Sequence, residues 1–454
     1  MITSESEATT TCDGYDGKTT RCHENCTLST QTNEPKTNGP VVMKASTEQS
    51  SRTKVMTNVT RSHQIPKEIL EDTSLNSLIK ATLPENYSFE VHKIIWRIRN
   101  LGCKKVGLQF PEGLFIFSIP LTRILESFTE AKVITFGDVT YGACCVDDYT
   151  AVSLGCDLLV HFAHSCLVNI TNMTQSLKML YVFVEVKFDI WHLVNSLKQN
   201  LTPGTRLAMA STVQFLSSIH SVKKELDKTF TVSIPQSKGL SKGEVLGCTA
   251  SKIKEEIDHL IFVADGRFHL EAVMIANPNI DSFLRYNPYN KELTRERYDF
   301  DRMVKMRTKA IAVTTQVLSS GGVIGFLLGS LGRQGSLKVY NTLRKRVMDR
   351  NPKLQVVNFV IPEISPAFLN AFGSAVDAWV QVACPRLSID WGEGFVDKPL
   401  LTPFELSVAL DTVPKRVNLL EGAKEYPMDF YARDSLGDWT PNHDCSLNCS
   451  CSNG

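Results

Sequence analysis

The chain of 454 residues carries thirteen cysteines. Four of them, with two histidines, fall in one stretch from Tyr141 to Leu167, YGACCVDDYTAVSLGCDLLVHFAHSCL. The opening residues, MITSESEATTTCDG, lack the apolar segment of a secretory signal. A reducing cytoplasm is therefore expected, where cysteines serve as thiols or metal ligands rather than disulfides. Three cysteines stand in comparable places far apart in the sequence. Cys144 ends FGDVTYGAC, Cys248 ends GEVLGC and Cys384 ends AWVQVAC. Three thiolates brought together suit an iron–sulfur cluster that normally takes four cysteines, leaving one iron open to a substrate. The spacing alone equally allows three buried cysteines, because free cysteine is among the most buried residue types.

Positioning such residues requires a repeated frame, and the chain suggests one. VHKIIWRIRNLG (Val91–Gly102) has helical apolar spacing and a glycine stop. KKVGLQFPEG, AKVITFGD and CDLLVHFA then read as short, continuous apolar strands separated by helical stretches. Such an alternation predicts parallel sheets built from βαβ units. The pattern starts again with TRLAMAST and LIFVADG, and a third time with GGVIGFLLGSLGRQG, LQVVNFVI and AWVQVAC. The helical stretch RERYDFDRMVKMRTKAIAVTTQVL (Arg295–Leu318) precedes the third set. The fold class expected is α/β, with three similar parallel-sheet domains arranged around a central site. The expected boundaries are 66–200 with Cys144, 201–318 with Cys248 and the linking helix, and 319–432 with Cys384.

Flanking segments read differently. The first 60 residues hold 14 threonines and few apolar residues, so residues 1–65 are expected to be disordered. Residues 433–454 form a polar tail in which Cys445, Cys449 and Cys451 give C-x3-C-x-C. That spacing misses the C-x3-C-x2-C cluster motif by one residue and has no fold around it. The formal net charge is +1, from 49 basic and 48 acidic residues, which offers no global field to recruit nucleic acid or an anionic membrane. No apolar run approaches the roughly 18 residues of a membrane span.

Several residues near the three cysteines could contact a ligand. GSLGRQGS places Arg333, Gln334 and Gly335 after an apolar run. The guanidinium is a fork for carboxylate or phosphate, and the glycine allows close backbone approach; a tight turn explains the stretch as well. CPRLSIDWG puts Arg386 and Asp390 beside Cys384, as ligand contacts or as a salt bridge. Cys145 is expected to turn away from Cys144 into the core, since adjacent side chains in extended chain face opposite ways. Asp147 and Asp148 read as a helix N-cap. His161, His164 and Cys166 lack an obvious fourth zinc ligand, and core roles are expected for the histidines.

GDVTYGACCVDD, HFAHSCL, VADGRFHLEAVMIANP, RYNPY, LGSLGRQG, WVQVACPRLSIDWG and PLLTPFE together resemble the 2-(3-amino-3-carboxypropyl)histidine synthase family of diphthamide biosynthesis, and its catalytic subunit 1 most closely. The resemblance spans roughly Pro66 to Tyr431. It implies a 4Fe–4S cluster held by Cys144, Cys248 and Cys384, with the LGCTA match at Cys248 the shortest of the three. It also implies transfer of the 3-amino-3-carboxypropyl group of S-adenosylmethionine to C2 of a histidine in translation elongation factor 2, by a radical route that cleaves the Cγ–S bond. The partners implied are a subunit 2 paralogue in a heterodimer and a small metal-binding electron donor. Two other readings are a noncatalytic scaffold subunit of the same complex and a quinolinate-synthase-type cluster enzyme. Retention of all three cysteines and the motifs quoted favour the catalytic reading.

Overall fold

A computed structural model describes residues 65–427 apart from 139, 141, 163–167, 169–172, 238 and 396–397, and also describes 437, 439 and 440. Seven cysteines (Cys12, Cys22, Cys26, Cys166, Cys445, Cys449 and Cys451) lie outside these residues, as does His164. So do the readings made for residues 1–64 and for the tail cysteines.

Three sheets follow one another along the chain. The first holds β1 (Lys105–Gln109), β2 (Lys132–Thr135), β3 (Leu158–Phe162) and β4 (Lys178–Val182). The second holds β5 (Arg206–Ser211), β6 (Thr231–Ser233), β7 (His259–Val263), β8 (Phe283–Asn287) and β9 (Glu292–Glu296). The third holds β10 (Val323–Gly329), β11 (Gln355–Ile361), β12 (Ala378–Val382) and β13 (Leu400–Leu401). The strand order is the same in each: β2-β1-β3-β4, β6-β5-β7-β8 and β11-β10-β12-β13, with every neighbouring pair parallel. The second sheet adds β9, antiparallel to β8. The threefold α/β frame expected from the sequence is thus the fold observed.

A shared polar device starts each sheet. Asp157, Asp258 and Asp377 stand directly before the third strand of their sheets. Their carboxylates accept from the backbone N–H of Lys105 (2.9 Å), Arg206 (2.8 Å) and Val323 (2.9 Å), the first residue of each opening strand. Their own N–H groups return bonds to the carbonyls of those same three residues. The end of a buried strand leaves backbone groups that need partners, and one aspartate per unit supplies them.

Every residue of β3 and β12 is buried, as continuous apolar runs in a doubly covered sheet should be. The run LQVVNFVI differs. Its strand, β11, is the outer edge of the third sheet, and Val360 is 68% exposed. The long helix also begins later than the sequence pattern suggests. Arg295 and Glu296 complete β9, and the helix Phe300–Ser320 starts behind Asp299, whose side chain accepts from Arg302 N–H at 3.0 Å. Among the described residues no helix is long and apolar enough to cross a membrane.

Candidate metal centre

Ligands of open α/β sheets gather beyond the carboxyl ends of the strands, and all three cysteines occupy such loops. Cys144 lies in a short 3-10 turn, Ala143–Cys145, between β2 and β3. Cys248 lies in the irregular segment between β6 and β7. Cys384 follows β12 by two residues and precedes the short helix Arg386–Asp390. Two cysteines therefore come after the second strand of their sheet and one after the third. That shift explains why Cys384 stands farther from its opening strand in sequence than the other two.

Cys248 and Cys384 both lie within electrostatic reach of the Cys144 thiol. The Cys144 thiol is raised well above the ordinary range by its hydrogen bond with Cys145, then by burial, then by the neighbouring Cys145, Cys384 and Cys248. Cys384 is pushed up to about 11, chiefly by burial. Each of the three keeps partial solvent contact, so protein surrounds these thiols without sealing them off. Among the described residues no group of three Cys, His, Asp or Glu is placed to hold a single metal ion. Thiols spread around a multinuclear cluster need not converge on one point as ligands of a single ion must. A donor set of three sulfurs fits an iron–sulfur cluster, which is held by thiolates. Binding one requires ionised thiolates and would release thiol protons.

Two arginines from the third sheet join this centre together. Arg333 donates its backbone N–H to the Cys144 carbonyl at 2.8 Å. Its guanidinium forks onto Asp148, with Nε to Oδ1 at 2.7 Å and Nη2 to Oδ2 at 2.5 Å, while Nη1 reaches the Tyr149 hydroxyl at 2.6 Å. The guanidinium also stacks 3.9 Å from the Tyr149 ring centre. Asp148 is fully buried and accepts further from Thr174 N–H (2.7 Å) and Oγ1 (2.9 Å). Burial works against its charge, but the bonds from Arg333 and Thr174 hold its pKa below the usual carboxylate value.

Arg386 is the second. Its Nε donates to both oxygens of Asp390, at 2.8 and 3.0 Å, and its Nη2 donates to Glu271 at 2.6 Å. Nη1 donates to the carbonyls of Phe268 (2.6 Å) and Gly247 (3.3 Å), the residue before Cys248. The guanidinium lies 4.1 Å from the Phe268 ring centre and is 2% exposed. The Arg386–Asp390 salt bridge weighed from the sequence is present. Both guanidiniums are largely committed to protein groups.

Glycines let these loops approach closely. Gly332 has φ +53°, and a Cβ there would stand 2.5 Å from the Cys145 carbonyl carbon. A Cβ at Gly335 would strike the Gly329 carbonyl oxygen, and one at Gly247 the Phe268 ring. Cys145 is fully buried, and its sulfur receives the Gln334 side-chain amide at 3.3 Å. Asp147 caps the following helix by accepting from Thr150 N–H at 2.9 Å. His161 is buried, with Nδ1 2.9 Å from Gln109 Oε1. Gln109, which no sequence motif marks, also donates to the Cys145 carbonyl at 2.8 Å and accepts from Asp147 N–H at 3.3 Å. Its signal was faint: a polar residue closing an otherwise apolar strand.

Fold and site together define an α/β protein of three successive sheets, each with one cysteine in a loop beyond the carboxyl end of a strand. The family model for diphthamide synthesis proteins matches residues 110–418. Over 382 residues the chain is 52% identical to 2-(3-amino-3-carboxypropyl)histidine synthase subunit 1 of Nematostella vectensis, covering 84% of this chain and 77% of that protein. It is 49% identical to the Homo sapiens protein of the same name, covering 84% of this chain and 83% of the other. Among solved structures, Dph2 from Pyrococcus horikoshii with a 4Fe–4S cluster superposes with a TM-score of 0.57 at 25% identity, covering 71% of this chain and 91% of that one. The chain belongs to the diphthamide synthesis protein family.

Proposed function

We propose that this chain is the catalytic subunit that transfers the 3-amino-3-carboxypropyl group of S-adenosylmethionine to C2 of a histidine of translation elongation factor 2. The observation that carries the reading is the reach of Cys248 and Cys384 onto Cys144 from three separate sheets. The names of the relatives and the cluster in the Pyrococcus structure support it. In this reading Cys144, Cys248 and Cys384 hold a 4Fe–4S cluster, which when bound supplies one electron. The Cγ–S bond of the sulfonium then breaks to methylthioadenosine and a 3-amino-3-carboxypropyl radical. The radical adds to imidazole C2, and the adduct gives one proton to solvent and the borrowed electron back to its donor, which restores the aromatic ring.

Arg333, Gln334, Gly335, Arg386 and Asp390 are proposed to shape the seat of the amino-acid end of S-adenosylmethionine. Because both guanidiniums already serve Asp148, Asp390 and Glu271, a substrate carboxylate must share their donors. The domain boundaries 66–200, 201–318 and 319–432, a heterodimer with a subunit 2 paralogue, a small metal-binding electron donor and a cytoplasmic setting belong to the same proposal. Its test is anaerobic reconstitution with iron, sulfide and reductant. Wild type should hold one cluster and release methylthioadenosine; Cys144→Ala, Cys248→Ala and Cys384→Ala should each lose iron. Full iron content in all three variants would sink the ligand set. Inert S-adenosylmethionine with an intact cluster would favour a scaffold or a quinolinate-synthase-type enzyme.

A further inference from the structure

The residue next to Cys144 is a second thiol, Cys145. Its expected burial holds, but its expected separation from Cys144 does not. Extended chain would point the two side chains apart, whereas Ala143–Cys145 is a 3-10 turn, in which successive side chains differ by about a third of a turn rather than half. Cys145 is fully buried, and its sulfur is hydrogen-bonded to the Cys144 thiol and within electrostatic reach of Cys384. Two loops hold it there. Gln109, closing β1, donates to the Cys145 carbonyl at 2.8 Å. The loop after β10 supplies the rest. Arg333 N–H donates to the Cys144 carbonyl at 2.8 Å, and Gln334 Nε2 donates to Cys145 Sγ at 3.3 Å. Gln334 is itself buried. A turn closed by its N–H on the Leu331 carbonyl, at 3.2 Å and with Gly332 at φ +53°, fixes where its side chain begins.

A cysteine offers a weak acceptor at its sulfur and a weak donor in its S–H. The Gln334 amide bonds to the sulfur and leaves the S–H to give. A charged thiolate is a better acceptor than a neutral thiol, because charge-assisted hydrogen bonds are roughly twice as strong. We propose that Cys145 is a positioning residue for electron uptake: held by Gln334, its S–H donates to the sulfur of Cys144 and stabilises the negative charge there when an electron arrives. Hydrogen bonds to the sulfurs are among the levers that set the reduction potential of an iron–sulfur cluster, and partners behind the ligands tune a metal site in this way. Cys145 acts through Cys144 and is not itself a ligand. The inference rests on the reading that Cys144, Cys248 and Cys384 hold a 4Fe–4S cluster.

The test reconstitutes the full chain anaerobically, counts iron and sulfide per chain, and follows reduction by EPR against applied potential before S-adenosylmethionine is added. Cys145→Ala should hold as much iron as wild type, with a midpoint potential lower by up to about 59 mV, a tenfold change in the one-electron equilibrium. Cys145→Ser keeps a donor and should stay near the wild-type potential. Gln334→Leu removes the amide that holds the thiol and should move the potential in the same direction by less. An unmoved potential in an iron-replete Cys145→Ala protein would overturn the proposal. Loss of iron from Cys145→Ala would overturn it too, because Cys145 would then be a ligand or a packing residue. Should Cys145→Ala not fold, Gln334→Leu decides, and a wild-type potential there sinks the hydrogen bond. A wild type that takes up no cluster defeats the cluster reading instead, and the two failures are separate.

Discussion

Arg386 Nη1 donates to the carbonyl of Gly247 across 139 residues of sequence, at 3.3 Å, and so ties the helix behind Cys384 to the loop that presents Cys248. The same guanidinium neutralises Glu271 and Asp390. Arg386→Ala should therefore do two things at once. It takes the buried cation away from two partly exposed carboxylates, of which Glu271 keeps Arg267, so the loss should fall below the about 3–5 kcal/mol of a fully buried pair that loses one partner, and it frees the Cys248 loop. Arg386→Lys keeps a charge but cannot serve three directions as the planar fork does. Denaturant unfolding should show a clear loss for Ala and a smaller one for Lys, with iron per chain after reconstitution falling in both. A fully stable Arg386→Ala protein would refute the staple.

The pair Asp148–Arg333 does the equivalent work between the first and third sheets. Asp148→Asn keeps the shape but gives up the charge, and leaves the Arg333 guanidinium facing a neutral amide. Hydrogen bonds to a charged partner are worth about 1.5–3 kcal/mol, and a loss of that size is expected in chemical denaturation. Alkylation of Cys144 should also become faster, because Arg333 N–H no longer holds the Cys144 carbonyl in register. Combining Asp148→Asn with Arg333→Gln in a double-mutant cycle should give an effect clearly smaller than the sum of the two single changes. Strict additivity would show that the two side chains act independently.

What the sequence revealed and what it hid divide along a physical line. Continuous apolar runs report buried parallel strands, so the threefold α/β frame was readable. Cys144 and Cys384 stood out because each closes a strand-like segment. Arg386 and Asp390 are four apart on one short helix, and their contact follows from that spacing. The partner of Arg333 lies 185 residues away and that of Arg307 lies 98 away; no local pattern encodes such pairs. Gln109 and the strand-start aspartates were silent for the same reason, since their bonds depend on strands that become neighbours only in the sheet. The edge position of β11 was also illegible, because an apolar run looks the same whether or not its outer flank is paired.

Acid should reach the second sheet through Asp258. Its pKa is lowered to about 2 by hydrogen bonds from the Arg206 side chain and backbone. An unfolded aspartate titrates near ~3.9, so the folded state binds its proton less readily. The stabilisation is present above that value and is lost as pH falls toward 2. The carboxylate is exposed, and salt should reduce the effect. Asp258→Asn should flatten the fall in unfolding midpoint between pH 4 and pH 2; an unchanged slope would remove Asp258 from the acid response.

The motif PLLTPFE places a buried ion pair rather than a ligand contact. Glu405 is fully buried and accepts from Arg307 Nε at 2.6 Å and Nη2 at 2.7 Å, and from the Tyr426 hydroxyl at 2.8 Å. It also completes a capping box with Thr402 at the start of the helix Pro403–Ala409. Arg307 in turn donates to the carbonyls of Ser388, at 2.8 Å, and Leu400, at 2.6 Å. It thereby locks the long helix Phe300–Ser320 to the helix behind Cys384. Glu405→Ala strands the Arg307 charge in the core and should cost about 3–5 kcal/mol, seen as a lower denaturant midpoint with the slope unchanged. Replacing both members, Arg307→Met with Glu405→Leu, removes the unpaired charge and should recover much of that loss. A double variant as unstable as Glu405→Ala would mean that the capping box and the Tyr426 bond, and not the stranded guanidinium, set the cost.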